Sequence, residues 1–455
     1  METQSTRPVF HLLPHDVLHD LFVLCVNTSE AHSNMPIVLS HVCHSWRHTA
    51  LASPMLWTII IFKASRPSQK HLQAHASLQR SRGLPISLHI NVIHHLQRHE
   101  GDIVGHNAER LCRLSLTSSD REIGLSSMEY LGGIAMPLLE SFDALVADEI
   151  NLTVTRKPNP ATPFYVPPFT PHRLTAPVSR TFFWSPWKAQ NLTSLCLKGL
   201  GPGETPSVRL MWQILSGCKL TLVDFHFEGS APSGINGRLE VVLVPVVLPA
   251  LRTLRIGYLD NFLGLLSCIY APNLRALCLH DALFFPTIRL PPARSTVTQP
   301  NLALVFELLS PSCTHLLELR LVGMDACPRA TVDTFFGTLS RTTFLAISSC
   351  HAVYTDALFQ PEARFRVPKV VFPRLHHLDV SLTDPVDLSR FLLRHKTVTV
   401  PALKQLYIPQ RMASLSTGGT GIFSIVLDLC LTHFGTSLTV LRDPPVHLIR
   451  RQFFN

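Results

Sequence analysis

Two groups of histidines are the residues of this chain best suited to chemistry by type and spacing. His41, His44 and His48 share one face of a predicted helix, and His95 and His99 stand four residues apart, a spacing that helical metal sites use. Neither group brings the third and fourth ligands of a complete site. We therefore interpret both as solvated helix faces and predict no metal site.

The other catalytic patterns in the sequence are incomplete. Gly418-Gly419-Thr420-Gly421 lacks the Lys-Ser/Thr pair that a phosphate-binding loop needs, so it is typical of a flexible connection. No Gly-x-Ser-x-Gly elbow occurs, and no pair of acids stands out among the few carboxylates. We predict that the protein is not an enzyme, with no catalytic residue and no cofactor.

Composition excludes several classes of partner. The 40 Lys and Arg against 31 Asp and Glu give a net charge of +9, which no run of five or more basic residues concentrates. A basic stripe with interleaved aromatics and a zinc-finger spacing are both missing, so we predict no nucleic-acid partner. The longest apolar run, residues 241–251, is interrupted by Pro245 and Pro249 and falls short of a bilayer span, which predicts no membrane partner.

Cysteine usage indicates a reducing compartment. The chain has 11 cysteines, an odd number, and no Cys-x-x-Cys pair. No apolar segment of a secretory signal follows Met1. We therefore expect a cytoplasmic or nuclear protein.

Residues 12–57 are the most informative stretch and predict two helices. Pro14 suits the first turn of a helix, and Asp16 lies close to the positive end of its dipole. A second helix is predicted to begin at Pro36 and to end before Pro54. On the first helix one face is apolar, formed by Val17, Leu18, Leu21 and Phe22. On the second, apolar residues recur at three- and four-residue steps, at Leu39, Val42, Cys43, Trp46 and Ala50.

The series Leu-Pro-x-Asp-Val-Leu-x-x-Leu-Phe, then Val-Cys-x-x-Trp-Arg, then Leu-Trp, resembles an F-box, as found in the F-box-like proteins expanded in basidiomycete fungi. The resemblance implies that this segment binds the Skp adaptor of a cullin-based ubiquitin ligase while the rest of the chain holds a substrate. His15-Asp16 departs mildly from the family pattern, in which Glu is common. The alternative is a helical hairpin packed on its own domain. The implied adaptor-binding residues are Leu13, Pro14, Val17, Leu18, Leu21, Val42, Cys43 and Trp46.

Beyond this segment, the chain repeats a Leu-x-x-apolar-x-apolar unit, often at the period of leucine-rich repeats. Because the bare pattern arises frequently by chance in so apolar a chain, a stricter form with Pro two places before the Leu is more informative. The units begin at Leu111, Leu192, Leu222, Leu251, Leu274, Leu316, Leu375 and Leu403. The strict form occurs at Pro54, Pro249, Pro272, Pro373 and Pro401.

Each unit predicts a short parallel strand with one face turned inward. The alternation predicts, for example, that Leu277 faces the core and His280 faces solvent. Helical stretches are predicted before several strands, at 210–215, 262–266, 305–309 and 388–393. We therefore predict an α/β protein in which an N-terminal helical F-box precedes an irregular leucine-rich-repeat solenoid, or horseshoe. An ordinary parallel α/β sheet is the alternative.

The predicted domain organisation has three parts. Residues 1–62 form the F-box domain, 63–106 a linker region with a helix at 69–80 and a strand at 86–90, and 107–455 the repeat domain. Residues 156–187 are a proline-rich insertion with interleaved aromatics, and 286–300 a smaller break.

Together these features predict a substrate-receptor subunit of an SCF-type ubiquitin ligase. Its partners are expected to be a Skp-family adaptor, through it a cullin, and a protein substrate bound by the repeats. The alternative is a leucine-rich-repeat scaffold, or an unrecognised enzyme, in which residues 12–57 only cap the fold.

Overall fold

The chain divides into two compact units, residues 1–196 and 197–455, in a computed structural model. In the part of the chain that the structure describes, no helix is long and apolar enough to cross a membrane. The described residues are 13–28, 34–64, 69–94, 96, 98–147, 150–159, 161–167, 169–172, 181–184, 187, 189–200, 205–229, 244–257, 263–280, 302–348, 350–359, 372–381, 405–409 and 437–441.

The first unit begins with short helices and continues as alternating helices and strands. Its helices are α1 His15–Thr28, α2 Met35–Ser40, α3 His44–Ala52, α4 Gln69–Arg80, α5 Arg98–Asn107 and α6 Arg121–Leu131, with 3₁₀ helices at Pro54–Trp57 and Ala108–Arg110. Its strands are β1 Ile59–Ala64, β2 Ile86–Val92, β3 Leu111–Ser118, β4 Ser141–Val146, β5 Ile150–Arg156, β6 Phe169–His172 and β7 Thr181–Trp184. Strands β1 to β4 pair in chain order and in parallel, whereas β5 is antiparallel to β4 and β6 to β7.

The second unit continues the alternation after β8 Leu192–Leu200, the strand that contains the boundary between the units. Its helices are α7 Val208–Gly217, α8 Leu263–Leu266, α9 Leu302–Leu309, α10 Arg329–Thr338 and α11 Ala352–Phe359, with a 3₁₀ helix at Ser310–Ser312. Its strands are β9 Asp224–Gly229, β10 Val246–Val247, β11 Thr253–Gly257, β12 Ile269–Tyr270, β13 Ala276–His280, β14 Glu318–Val322, β15 Phe344–Ser348, β16 His377–Ser381, β17 Gln405–Pro409 and β18 Ser437–Leu441. The order β9-β11-β13-β14-β15-β16-β17-β18 is parallel throughout.

The strand register of the second unit stacks equivalent apolar residues in columns. One column consists of Phe225, Leu254, Leu277, Leu319, Leu345, Leu378, Leu406 and Leu438. Its members from β9 to β16 are buried. A second column, two residues further along, runs through Phe227, Ile256, Leu279, Leu321 and Ile347 and is equally buried. Because strand residues two apart share a face, both columns lie on the core side of the sheet.

Proline turns introduce several of these strands. The N–H of Leu251 donates to the carbonyl of Leu248 at 3.2 Å, which closes a four-residue turn with Pro249 in its second position. The same bond closes the turns at Leu274 and Leu375, each with a proline in the second position. Proline suits that position because its ring fixes φ near the value a turn requires. The strict repeat pattern therefore corresponds to a recurring turn followed by a strand.

The structure confirms that the protein is α/β with a large, mostly parallel sheet. The helix at 69–80 and the strand beginning at Ile86 are confirmed, and helices precede β9, β13 and β14 as predicted. Strands β15 and β18 were not predicted, because Thr342 and Gly435 occupy the place where their units would need a leucine. The predicted helix at 388–393 and the break at 286–300 lie outside the described residues.

The proline-rich insertion makes an aromatic contact with strand β4 of the first unit. Phe164 is buried and its ring centroid lies 6.0 Å from those of both Phe142 and Trp187. The Trp187 indole N–H donates to the Tyr165 carbonyl at 2.9 Å. Backbone bonds between Phe164 and Met136 complete the attachment. These contacts attach residues 164, 165 and 187 of the insertion to one another and to the rest of the first unit.

Candidate protein-binding surfaces

The helices at the start of the chain share a small apolar core. Leu18, Phe22 and Val26 recur every four residues along α1, so they lie on one face, and all are buried. The Phe22 ring packs against Trp46 of α3 with ring centroids 4.9 Å apart. The core is completed by Leu39, Ala50, Leu56 and Trp57. Burial of these side chains fixes which residues of α1 remain on the surface.

The predicted second helix is wrong in one respect, because two helices replace it. Residues 41–43 form a turn between α2 and α3, and Cys43 has an extended backbone. The Cys43 sulfur accepts a hydrogen bond from the Trp46 N–H at 3.5 Å, so Cys43 acts as the N-cap of α3. The Arg47 side chain donates to the Ser40 carbonyl at 3.0 Å, which satisfies an acceptor at the end of α2. As predicted, the helix ends before Pro54.

The same helices expose apolar side chains on their outer surface. Val17 is 42% exposed and Leu21 41%, one helical turn apart on α1, while Val42 in the α2–α3 turn is 56% exposed. Other large apolar residues exposed in this region are Leu24, Val38, Leu51 and Met55. Large exposed apolar side chains that gather on one region often mark a protein-binding surface. We call Val17, Leu21, Leu24, Val38 and Val42 the apolar helical face.

The structure separates the eight predicted adaptor-binding residues by exposure. Pro14, Val17, Leu21 and Val42 are exposed, whereas Leu13, Cys43 and Trp46 are half-buried. Leu18 is only 3% exposed and belongs to the core. Sequence reasoning did not include Leu24 and Val38, although each continues an apolar spacing of its own helix. The exposed residues are therefore the ones available to a partner, and Leu18 can act only through the fold.

A second candidate surface is the open face of the strands in the second unit, opposite the apolar columns. At its β9 end, the His226 Nε2 lies 3.5 Å from the Glu228 carboxylate. Glu228, Gly257 and His280 are neighbours in the strand register, and a Cβ on Gly257 would lie 2.9 Å from Glu228 Cγ and 3.2 Å from His280 Nδ1. The absence of a side chain at Gly257 therefore lets the flanking side chains close over it.

Burial and neighbouring groups shift the pKa values of all three titratable side chains in this group. Burial lowers the pKa values of His226 and His280, so both favour the neutral form. Burial also acts to raise the pKa of Glu228, but the His226 hydrogen bond and the charges of His226, His280 and Lys198 lower it overall. The prediction that His280 faces solvent is wrong, since the residue is 6% exposed and lies against this group.

Further along the open face, charged and aromatic side chains pack together. The Arg320 guanidinium forms an ion pair with Glu318 and lies 4.7 Å from the centroid of the Phe344 ring. Phe344 packs in turn against His377 on the next strand, with ring centroids 6.3 Å apart. Burial raises the pKa of Asp379 to about 6, although the charge of Arg320 acts to lower it. Arginine and aromatic residues are enriched among the residues that contribute most of the binding free energy at protein interfaces.

The described residues give no geometric support for metal binding by the candidate histidines. His44 and His48 are exposed on α3, and His41 lies in the preceding turn, while His95 is outside the described residues. In the described ranges, no group of three or more His, Cys, Asp and Glu side chains is placed to hold a metal ion. Burial raises the pKa of the Cys278 thiol on the open face to about 11, so this sulfur stays protonated near neutral pH.

No family model matches the chain, and no curated protein matches it.

Proposed function

We propose that the protein is a substrate-receptor subunit of an SCF-type ubiquitin ligase, in which an N-terminal F-box binds a Skp-family adaptor and degenerate leucine-rich repeats bind a protein substrate. The observation that carries the adaptor part is the apolar helical face. Three residues of the F-box-like series, Val17, Leu21 and Val42, are exposed on it, although apolar side chains of this size are mostly buried.

The repeat part is supported by the strand register of the second unit. Successive units form parallel strands in which equivalent core residues stack in two columns, and a turn precedes each of the strands β9, β11, β13, β14, β15 and β16. Stacked units of this kind bury their apolar edges against one another and leave one strand face for a partner. In the proposed receptor, that face holds the substrate.

Adaptor binding is tested by co-purification with substitutions confined to exposed residues. The Val17→Asp, Val42→Asp double variant of the full chain places two charges on the apolar helical face without entering the core. We expect it to lose the Skp-family adaptor that the wild-type chain retains, because a charge in an apolar interface is left without a partner. Val244→Asp, at an exposed valine of the second unit, is the matched control and should retain the adaptor.

Two outcomes would count against the proposal. One is a wild-type chain, shown to be folded by circular dichroism, that fails to bind any Skp-family adaptor. The other is a double variant that binds as strongly as wild type, which would leave the F-box-like series without a role in binding and favour a repeat scaffold.

A further inference from the structure

The turns that precede the strands of the second unit carry an unbalanced set of charges. Each of the described turns 217–223, 248–252, 271–275, 312–317, 339–343 and 372–376 contains a basic residue or a histidine, and none of these described turn residues is Asp or Glu. We call this set the basic ridge: Lys219, Arg252, Arg275, His315, Arg341, Arg374 and His376.

Backbone hydrogen bonds place these turns side by side in one row. The residue before each strand donates its N–H to the carbonyl of the equivalent residue in the preceding turn, at 2.8 or 2.9 Å. The row runs through Val223, Arg252, Arg275, Leu317, Thr343 and His376. Because adjacent strands lie about 4.8 Å apart, the row spans about 24 Å along one edge of the sheet.

Most side chains of the basic ridge are exposed. Lys219, Arg275, Arg341 and Arg374 are exposed, and Arg252 is half-buried with its guanidinium donating to the Asn273 carbonyl at 3.0 Å. The guanidinium of Arg341 reaches the preceding turn and donates to His315 Nδ1 at 2.9 Å. The exposed cations Lys219, Arg275, Arg341 and Arg374 therefore lie on the surface, one to a turn along the row.

Two carboxylates lie directly beside these turns in the sequence. Asp224 and Glu318 begin strands that follow two of the turns, and Glu318 is already paired with Arg320. Helices α7 and α10 end close to the ridge, and cations stabilise the carbonyl end of a helix. That effect is confined to the last helical turn, whereas Arg252, Arg275 and Arg374 follow other segments, so helix capping does not account for the whole row.

Two further features favour an acidic protein segment over other polyanions. Leu220 is 71% exposed and Leu317 is also exposed in the same turns, so apolar contacts accompany the charges. The Phe, Tyr or Trp side chain in these described turns, Phe372, is buried, so stacking of nucleic-acid bases there would have only histidine and arginine side chains to use. An extended peptide rises about 3.3 Å per residue, so about seven residues would match the length of the row.

We propose that the basic ridge binds an extended acidic segment of a partner protein, with carboxylates on the arginines and small apolar side chains on the exposed leucines. The binding itself does not depend on ubiquitin-ligase function. Only the identification of this partner as the substrate rests on the proposed function.

The test measures fluorescence anisotropy of a labelled 12-residue peptide in which Glu alternates with Leu and Ser, added to the full chain. We expect binding that weakens about tenfold or more between 50 and 500 mM NaCl, because exposed charge pairs are screened by salt. Reversing two exposed charges, in Arg275→Glu, Arg374→Glu, should weaken binding at low salt about tenfold or more. Arg209→Glu, at an exposed arginine in the first turn of α7, is the matched control and should bind like wild type.

Companion measurements use a peptide with Gln in place of each Glu, a 12-nucleotide uridine RNA and vesicles containing phosphatidylserine. Failure of the acidic peptide to bind, equal binding by the charge-reversed chain, or equal binding of the Gln peptide would overturn the proposal. Tighter binding of the RNA or of the vesicles would also overturn it, since the ridge would then be a site for phosphates. Adaptor co-purification with the charge-reversed chain separates the two proposals, because it should be unchanged whichever way the peptide experiment turns out.

Discussion

Neighbouring residues of α1 should respond oppositely to truncation, because one lies in the core and the other on the apolar helical face. Leu18 is 3% exposed and Val17 is 42% exposed. Leu18→Ala leaves a cavity beside Phe22, and such changes cost about 2–5 kcal/mol. Val17→Ala removes little buried surface and should change stability by about 0.5 kcal/mol or less. Val17→Ala should instead weaken adaptor binding by about 1 kcal/mol, or about fivefold.

Hydrogen exchange of the full chain, followed by mass spectrometry, measures the stability part locally. Because each 1.4 kcal/mol is a factor of ten, α1 amides of Leu18→Ala should exchange about 30-fold to several thousand-fold faster than wild type. Amides of Val17→Ala should exchange within about threefold of wild type. If Val17→Ala accelerates exchange as much as Leu18→Ala, the two faces of α1 have been assigned wrongly. If neither accelerates it, the helical core described above does not stabilise α1.

Three further predictions concern the second unit. Leu277→Asp buries an unpaired carboxylate in an apolar column and should lower the melting temperature by several degrees or more. Ala276→Asp, on the open face, should lower it only slightly. Equal melting temperatures for the two variants would contradict the register. Gly257→Ala should lower the free energy of unfolding by about 1 kcal/mol, because Glu228 and His280 crowd the position. Gly337→Ala lies in a helix with open space around it and should raise the free energy of unfolding by up to about 1 kcal/mol. Chemical denaturation that gives both changes the same sign would refute this. Asp379 has a pKa of about 6 in the folded chain against an ordinary 3.8, so folding favours its protonated form. The free energy of unfolding of the wild type, relative to Asp379→Asn, should therefore rise as the pH falls from 7 to 4. A difference between the two proteins that does not change with pH would contradict this.

The parallel sheet could be predicted from sequence because its signal repeats. A leucine followed by apolar residues three and five places later, often after a proline, recurs wherever a turn leads into a strand such as β11, β13 or β16. The unit at β15 was missed because Thr342 replaces the leucine. Its side chain is buried and its hydroxyl donates to the Leu316 carbonyl at 3.2 Å, so a hydrogen bond substitutes for an apolar contact.

Other features could not be found because sequence spacing does not encode contacts across strands. The arginines of the basic ridge occur about once per repeat unit, so the sequence shows no run of basic residues that would predict the ridge. Only the hydrogen bonding between neighbouring turns places Arg252 beside Arg275. Likewise, alternation alone predicts that His280 is solvent-exposed, but Glu228 and the missing side chain at Gly257 give it a buried setting. Within α1, periodicity identified apolar positions without separating buried Leu18 from exposed Val17.

The central claim is that the apolar helical face binds a Skp-family adaptor. It is tested most directly by hydrogen exchange of the full chain with and without a purified Skp-family adaptor. The account predicts slower exchange in α1 to α3, residues 15–52, and unchanged exchange in the strands β13 to β15 of the second unit. A complex that protects only the second unit, or no protection anywhere at saturating adaptor, would contradict the account.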